Sequence, residues 1–173
     1  MLAEKIVTPP FPDLVTSAGY TIGVRPIKQC IRQMLPMTYA HWDEQGEENQ
    51  RAGTFTAKEA IASILTGEEM GALKYIAVLK GDRLVGHFGL KLWVDYNINL
   101  LVAGDAFIYI SPEHRKGLLG VQLIRYARDL AKSLGAREFS VSYRTFGSVD
   151  LDVALRRVGM KHTANVYSII LEG

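Results

Sequence analysis

Cysteine is nearly absent from the sequence, since Cys30 is the only one among 173 residues. A lone cysteine excludes an intramolecular disulfide and a cysteine-rich zinc site, which fits a reducing cytoplasm. Long apolar runs are missing as well. None approaches the roughly 18 residues of a membrane-spanning helix, and the N-terminal segment lacks the apolar core of a signal peptide. The sequence therefore predicts a soluble, cytoplasmic protein that binds neither a metal nor a membrane.

A strong charge of one sign is also absent. The formal net charge is +2 and the sequence pI is about 8.6, a balance too mild to indicate a nucleic-acid partner. Residues 1–19 contain Pro9, Pro10 and Pro12 and predict an extended N-terminal arm. Residues 20–173 are enough for one domain with a substantial core, and no segment indicates a second.

Hydrophobic periodicity predicts the element order β, α, α, β, β, β, α, β, α, β. Gly81-Asp82 lies between two apolar runs and predicts a hairpin turn. Pro36 is expected to divide the first helical region, residues 28–50, into two short helices, because proline removes a backbone donor. Ser148 is expected to cap the last helix.

The stretch SPEHRKGLLGVQLIRYA, residues 111–127, follows a long predicted strand, Ile98–Ile110, in which Gly104 predicts a bulge or a close backbone approach. Its loop has basic residues and two glycines directly before an amphipathic helix. Helix N-termini hold unpaired N–H groups and suit anions, but an ordinary turn with solvated charges fits equally well. Nucleoside-triphosphate and dinucleotide glycine motifs are absent. Leu118 and Leu119 argue against an RNA-binding Gly-x-x-Gly clamp, whose middle residues are polar or basic.

The segment Ile-Tyr-Ile-Ser-Pro-Glu-His-Arg-Lys-Gly-Leu-Leu-Gly-Val-Gln-Leu-Ile, residues 108–124, resembles motif A of the GNAT superfamily of N-acetyltransferases. The likeness in element order runs from about Tyr20 to Leu171. It implies an α+β fold, a mixed and mostly antiparallel central sheet flanked by helices, with a central βαβ unit that binds acetyl-coenzyme A (acetyl-CoA). The small size and the early His41-Trp-Asp-Glu44 are also similar to acetyltransferases of bacterial viruses (bacteriophages).

The resemblance implies acetyl-CoA as the cosubstrate and an amine as the acceptor, with no metal, and it leaves a homodimer open. Backbone groups of Ile108, Tyr109 and Ile110 are expected to pair with the pantetheine arm like an added strand. The remaining cofactor-binding residues that the resemblance implies are Arg115, Lys116, Gly117, Leu118, Leu119, Gly120, Val121 and Ser148. The first glycine of the family loop falls on Leu118, and its side chain is expected to narrow the approach to the loop.

The catalytic positions of the family match less closely. Leu155 stands where many relatives carry the tyrosine that protonates the departing thiolate, and Tyr143 stands where a carboxylate base is common. The catalytic set predicted for this chain is Tyr143, Asp105 and Tyr167. The two tyrosines are candidate acids, and Asp105 is the candidate base if it faces the pocket. For Tyr143 the alternative is a packed strand aromatic.

Other polar residues leave alternatives open. His87 is predicted to be a core histidine rather than a catalytic one. His41 and Glu44, one helical turn apart, are predicted to be an exposed pair, with part of an acceptor site as the alternative. Residues 41–70 hold seven acids against two bases, which suggests a cationic acceptor or simply a solvated acidic face.

The sequence therefore predicts transfer of an acetyl group from acetyl-CoA to a primary amine. The acceptor is expected to be a cationic small molecule or a protein lysine or N-terminus. The alternative is a catalytically silent acyl-CoA-binding or protein-interaction module on the same fold, because function depends on the site rather than on the fold.

Overall fold

The computed structural model describes residues 10–44, 57–97, 99–142 and 151–163. In this part of the chain six strands form one sheet, in which neighbouring strands follow the order of the sequence. All neighbouring strands are antiparallel except the last pair, which is parallel. The strands are β1 (Leu14–Val15), β2 (Tyr20–Val24), β3 (Leu73–Lys80), β4 (Arg83–Asp95), β5 (Leu100–Ile110) and β6 (Glu138–Ser140).

Four α-helices in the described residues cover both faces of the sheet. They are α1 (Ile27–Glu44), α2 (Ala57–Glu69), α3 (Leu119–Ser133) and α4 (Asp152–Arg157). Along β3 the side chains alternate between two cores: Tyr75 packs under α1 and α2, and Ile76 packs under α3. The predicted α+β class, with a mostly antiparallel sheet between helices and a β5–α3–β6 unit, is confirmed.

The hairpin and a bulge set the geometry of the central strands. β3 and β4 flank the predicted turn, where Gly81 has φ +59°, a conformation that suits glycine. Between β4 and β5, Gly89 pairs with Phe107 while Leu90 pairs with Asp105. Ala106 is therefore an extra residue, and the bulge reverses which backbone groups of β5 point toward β4 on either side of it.

Two predictions about helices are wrong. α1 continues through Pro36 as one helix of 18 residues. The proline ring is exposed, and the buried Met34 and Met37 on either side anchor the helix to the core. The packing of this apolar face therefore outweighs the lost backbone hydrogen bond. α4 begins at Asp152 with Leu151 in the N-cap position, whereas Ser148, the predicted cap, lies outside the described residues.

The N-terminal arm contacts the sheet within its described part. Leu14–Val15 pairs with β2, and the Asp13 carboxylate accepts hydrogen bonds from the Arg25 guanidinium, whose Nη1 lies 2.9 Å from Oδ1. Phe11 packs edge-on against Tyr126 of α3. The division of the chain at residue 19 stays a prediction. None of the helices in the described part has both the length and the apolar composition that a membrane span requires.

Candidate functional site

β5 and β6 separate about halfway along β5. Their parallel pairing ends at Gly104 opposite Ser140, although β5 continues to Ile110. A Cβ atom on Gly104 would lie 2.9 Å from Ser140 Oγ and 3.1 Å from its carbonyl oxygen, so the predicted close backbone approach is confirmed. Beyond this point β5 has no strand partner on its β6 side among the described residues.

Hydrogen-bond alternation shows which groups of β5 face the open side. The Ser111 N–H donates to the Val85 carbonyl at 2.9 Å, so Tyr109 opposite His87 also forms a hydrogen-bonded pair with β4. Ile108 and Ile110 fall between these pairs, and their N–H and C=O groups therefore point away from β4. Of the three predicted backbone partners, only these two isoleucines present main-chain groups to the open edge. Tyr109 points its main-chain groups toward β4, and its side chain is buried in the core under α1 and α2.

The loop after β5 brings an open helix N-terminus to the same edge. Gly117 has φ +85°, which favours glycine, and Leu118 in the N-cap position makes no side-chain capping hydrogen bond. The first N–H groups of α3 therefore lack intrahelical acceptors and carry the positive end of the helix dipole. A Cβ on Gly120 would meet nothing nearer than Ile110 Cδ1 at 3.9 Å, so packing within the protein does not require glycine there.

Leu118 and Lys116 are exposed in the loop, and each affects the approach of a ligand differently. Leu118 has φ −103° and a side chain that is 57% exposed, so the leucine adopts an ordinary backbone conformation. Whether its side chain narrows the approach to the loop stays a prediction. Lys116 is also exposed and has no ion-pair partner within the described residues. It is therefore the cation of this loop that an approaching anion would meet first.

Arg115 points away from the loop toward the end of α1. Its guanidinium contacts both oxygens of the Glu44 carboxylate through Nη2, at 2.9 and 2.7 Å. The Tyr109 hydroxyl donates to the same carboxylate at 2.9 Å, and burial together with that contact raises the tyrosine pKa to about 12. The predicted exposed pair of His41 and Glu44 is wrong, because Glu44 is half-buried and pairs with Arg115, 71 positions away.

Two histidines lie beside Tyr109 on the same face of the sheet. His41 stacks on the tyrosine ring with 5.1 Å between ring centroids, and burial lowers its pKa. His87 is 2% exposed, and its Nδ1 lies 3.2 Å from the Tyr75 hydroxyl. Burial lowers its pKa to about 3, so the ring is neutral at pH 7. The prediction that His87 is a core residue is confirmed.

The predicted catalytic residues are only partly described. Asp105 lies where β5 and β6 part, and its carboxylate accepts a 2.7 Å hydrogen bond from the Ser142 N–H. Burial raises the Asp105 pKa, and the bonds from Ser142 oppose that effect. Tyr143, Tyr167 and Ser148 lie outside the described residues, so their roles stay predictions.

At the position of the family tyrosine, Leu155 is an apolar core residue. It is buried in a cluster with Val121, Ile124 and Val158 and brings no hydroxyl to the site. Within the described ranges, no group of three or more histidine, cysteine, aspartate or glutamate side chains is arranged to hold a metal ion.

We call the surface along the open edge of β5 and the N-terminus of α3 the groove, and its groups suit an extended, anionic ligand. The open edge of β5 offers main-chain groups to an extended arm, and the N-terminus of α3 offers donors to a phosphate group at the end of the same edge. The sequence predicted both elements. It did not predict the contact of Arg115 with Glu44, because no local pattern relates residues that are 71 positions apart. The only signal nearby was the spacing of His41 and Glu44.

Comparisons with known proteins agree with this geometry. Residues 34–150, more than half of the chain, match the model of the acetyltransferase (GNAT) family. A search among curated proteins finds no match.

Three solved structures illustrate the likeness in fold. An aminoglycoside acetyltransferase from an uncultured soil metagenomic sample, in complex with sisomicin, has a TM-score of 0.66 at 13% identity, covering 88% of this chain and 97% of its own. Glucosamine-6-phosphate N-acetyltransferase from Arabidopsis thaliana has a TM-score of 0.67 at 12% identity. The match covers 88% of this chain and 99% of the transferase. AAC(6')-Iy, in complex with a bisubstrate analogue of CoA and acetylneamine, has a TM-score of 0.65 at 16% identity. The match covers 89% of this chain and 99% of AAC(6')-Iy. With the family match over residues 34–150, the chain belongs to the GNAT family of acetyltransferases.

Proposed function

We propose that this protein is an N-acetyltransferase that moves the acetyl group of acetyl-CoA to a primary amine. The observation that carries the proposal is the open edge of β5, which leads directly to the uncapped N-terminus of α3. The family match supports the same reaction, and one similar structure holds a bisubstrate analogue that contains CoA. In this proposal Ile108 and Ile110 bind the pantetheine arm, and the segment 116–121 binds the pyrophosphate.

The reaction needs an amine without its extra proton, a polarised thioester carbonyl and a protonated leaving group. The amine nitrogen attacks the carbonyl carbon, the carbon–sulfur bond breaks, the nitrogen loses a proton and the thiolate gains one. We assign proton acceptance, directly or through water, to Asp105, because burial raises its pKa toward the working range. Tyr143 and Tyr167 remain the candidates for donating a proton to sulfur.

The acceptor class is a finer proposal. A cationic small molecule, or a lysine or N-terminus of a protein, fits the excess of acids in residues 41–70. The structure uses some of these acids internally: Glu44 pairs with Arg115, and Glu68 accepts the Ile27 N–H at the start of α1. The remaining support is the similarity in fold to an aminoglycoside acetyltransferase in complex with sisomicin. A panel of polyamines, aminoglycosides, amino sugars and lysine-rich peptides, compared with neutral and acidic amines, tests this class.

Thiol release from acetyl-CoA across that panel tests the reaction, and Gly120→Glu tests the site. The glutamate would place a side chain and a negative charge where the pyrophosphate approaches the N-terminus of α3. We expect acetyl-CoA affinity to fall by at least about 100-fold, a loss that combines steric exclusion with charge repulsion. Ser133→Glu, at the other end of the same helix, adds the same charge away from the groove and should change affinity little. Parent-like binding by a folded Gly120→Glu variant would mean that the site is elsewhere.

Leu155 keeps a second candidate function in view. Because the residue at the tyrosine position is buried in an apolar cluster, the fold is also compatible with a module that binds acyl-CoA without transferring its acyl group. Calorimetric binding of acetyl-CoA without thiol release for any amine in the panel would favour that module over the enzyme.

A further inference from the structure

The contacts of Arg115 connect three elements. Its Nε donates to the Ile110 carbonyl at 2.7 Å, at the end of β5. Its Nη2 contacts both carboxylate oxygens of Glu44, in the last turn of α1. Its guanidinium carbon lies 5.1 Å from the centre of the Tyr109 ring, whose hydroxyl donates to the same Glu44 carboxylate. We call Glu44, Tyr109 and Arg115 the α1–β5 clamp.

The Glu44 carboxylate neutralises the charge of Arg115, a residue expected from the sequence to bind the cofactor. The Arg115 and Glu44 side chains are 23% and 28% exposed, so their mutual attraction is screened less than that of a surface pair. A guanidinium already balanced by a carboxylate attracts an approaching pyrophosphate only weakly. Lys116, the next residue, is exposed and has no ion-pair partner in the described ranges.

The clamp also holds a group on the open edge of β5. Because Ile110 points its main-chain groups away from β4, its carbonyl lies on the side where the pantetheine arm is proposed to bind. Arg115 fixes that carbonyl and the last turn of α1 at once. A shift of α1 relative to β5 would therefore break contacts on both sides of the guanidinium, which makes the clamp a rigid link between these two elements.

We propose that Arg115 and Glu44 are positioning residues for acetyl transfer, and that Lys116, rather than Arg115, supplies the cation for the cofactor pyrophosphate. In this role the clamp sets the position of the end of α1 relative to the strand that binds the acyl donor, and so aligns the acceptor amine with the thioester. This role presupposes the acetyl transfer proposed above.

Four single variants separate positioning from phosphate binding. Arg115→Gln and Glu44→Gln should each lower kcat or raise the KM for the amine by about tenfold, the usual effect of losing a charge-assisted hydrogen bond. Both should leave the acetyl-CoA Kd within about twofold of the parent value, whereas Lys116→Gln should raise that Kd by about fivefold. Arg83→Gln breaks an exposed contact with Glu113 and is the matched control. It should leave kcat, the KM for the amine and the acetyl-CoA Kd unchanged.

Double variants test whether Arg115 and Glu44 act as a pair. Arg115→Gln combined with Glu44→Gln should lose less than the two single variants added together, because both remove the contact between Arg115 and Glu44. Arg115→Lys should restore little of the lost kcat, because one ammonium nitrogen cannot replace both the Nη2 contact with the Glu44 carboxylate and the Nε contact with the Ile110 carbonyl.

Two results would overturn the proposal. One is a rise in the acetyl-CoA Kd for Arg115→Gln as large as that for Lys116→Gln, with no effect of Glu44→Gln, which would make Arg115 a phosphate ligand. The other is a lower melting temperature for both clamp variants with unchanged kcat and KM, which would make the pair a stabilising contact only.

Amide hydrogen exchange keeps failure of the clamp distinct from failure of the proposed reaction. Exchange in segment 41–44 and at the Tyr109 amide should accelerate in Glu44→Gln and Arg115→Gln but not in Arg83→Gln. If the parent protein releases no thiol with any amine, the proposed reaction fails and the alignment role fails with it. Faster exchange would then still support the link between α1 and β5, and parent-like exchange would refute it.

Discussion

Asp105 lies where β5 and β6 part, with its carboxylate bound to the Ser142 N–H. Burial raises its pKa in the folded state, so folding favours the protonated form. The stability from this preference is fully present below the unfolded pKa, near 3.8, and is lost as the pH rises through the higher folded value. Above the folded pKa the charge is therefore a cost to stability, which a functional role would explain.

Asp105→Asn tests that role, since it keeps an oxygen that can accept the Ser142 hydrogen bond and removes the charge. We expect kcat for thiol release to fall by about 10²–10⁴-fold, the usual contribution of a general base. Urea unfolding at pH 7 should show a variant at least as stable as the parent. An unchanged kcat would remove Asp105 from the mechanism, and parallel losses of kcat and stability would assign it a structural role.

Single residues also show where sequence reasoning succeeds and where it stops. Gly104 and the loop glycine Gly117 were predictable, because a close approach and a positive φ leave few other residue choices. The contact between Glu44 and Arg115 was not, since it depends on how α1 crosses the end of β5 in three dimensions. The same holds for Tyr109: its position in the strand was predicted, but the direction of its main-chain groups depends on the bulge at Ala106.

At the scale of elements, α1 shows how packing overrides a local signal. Pro36 cannot donate the backbone hydrogen bond to the Arg32 carbonyl, yet the helix runs unbroken from Ile27 to Glu44. An interior proline costs a helix about 3 kcal/mol relative to alanine, and the buried methionines on the same helix offset that cost. The hairpin of β3 and β4 was predictable because its turn residues and its strand pattern agree. In α1 the apolar pattern favours a continuous helix while Pro36 opposes one, and only the tertiary contacts decide between them.

Pro36→Ala should therefore stabilise the protein. The proline ring is exposed, so little packing is lost, and alanine restores the missing N–H. We expect the free energy of unfolding to rise by about 1–3 kcal/mol in urea titration. Leu35→Ala, on the same turn but half-buried, serves as the contrasting variant and should destabilise. A less stable Pro36→Ala variant would show that the proline fixes a bend on which the packing of α1 depends.

For the molecule as a whole, the proposed groove joins elements that belong to different cores. Ile110 and Leu119 pack in the α3 core, whereas Tyr109 packs in the core under α1 and α2. A ligand along β5 and the N-terminus of α3 would therefore stabilise the folded state without contacting most of either core. Because such a ligand binds the folded state alone, its effect on unfolding follows directly from its affinity and concentration.

Acetyl-CoA at 100 times its Kd should add about 2.7 kcal/mol to the free energy of unfolding. For a protein of this length that corresponds to a rise in melting temperature of about 5–10 °C, measurable by differential scanning fluorimetry. Gly120→Glu should abolish the rise, and Ser133→Glu should retain it. Asp105→Asn should also retain it, because Asp105 is assigned to proton transfer rather than to binding. If neither acetyl-CoA nor CoA shifts the melting temperature of the parent at millimolar concentration, the folded protein does not bind the acyl donor, and both the proposed site and the proposed reaction fail.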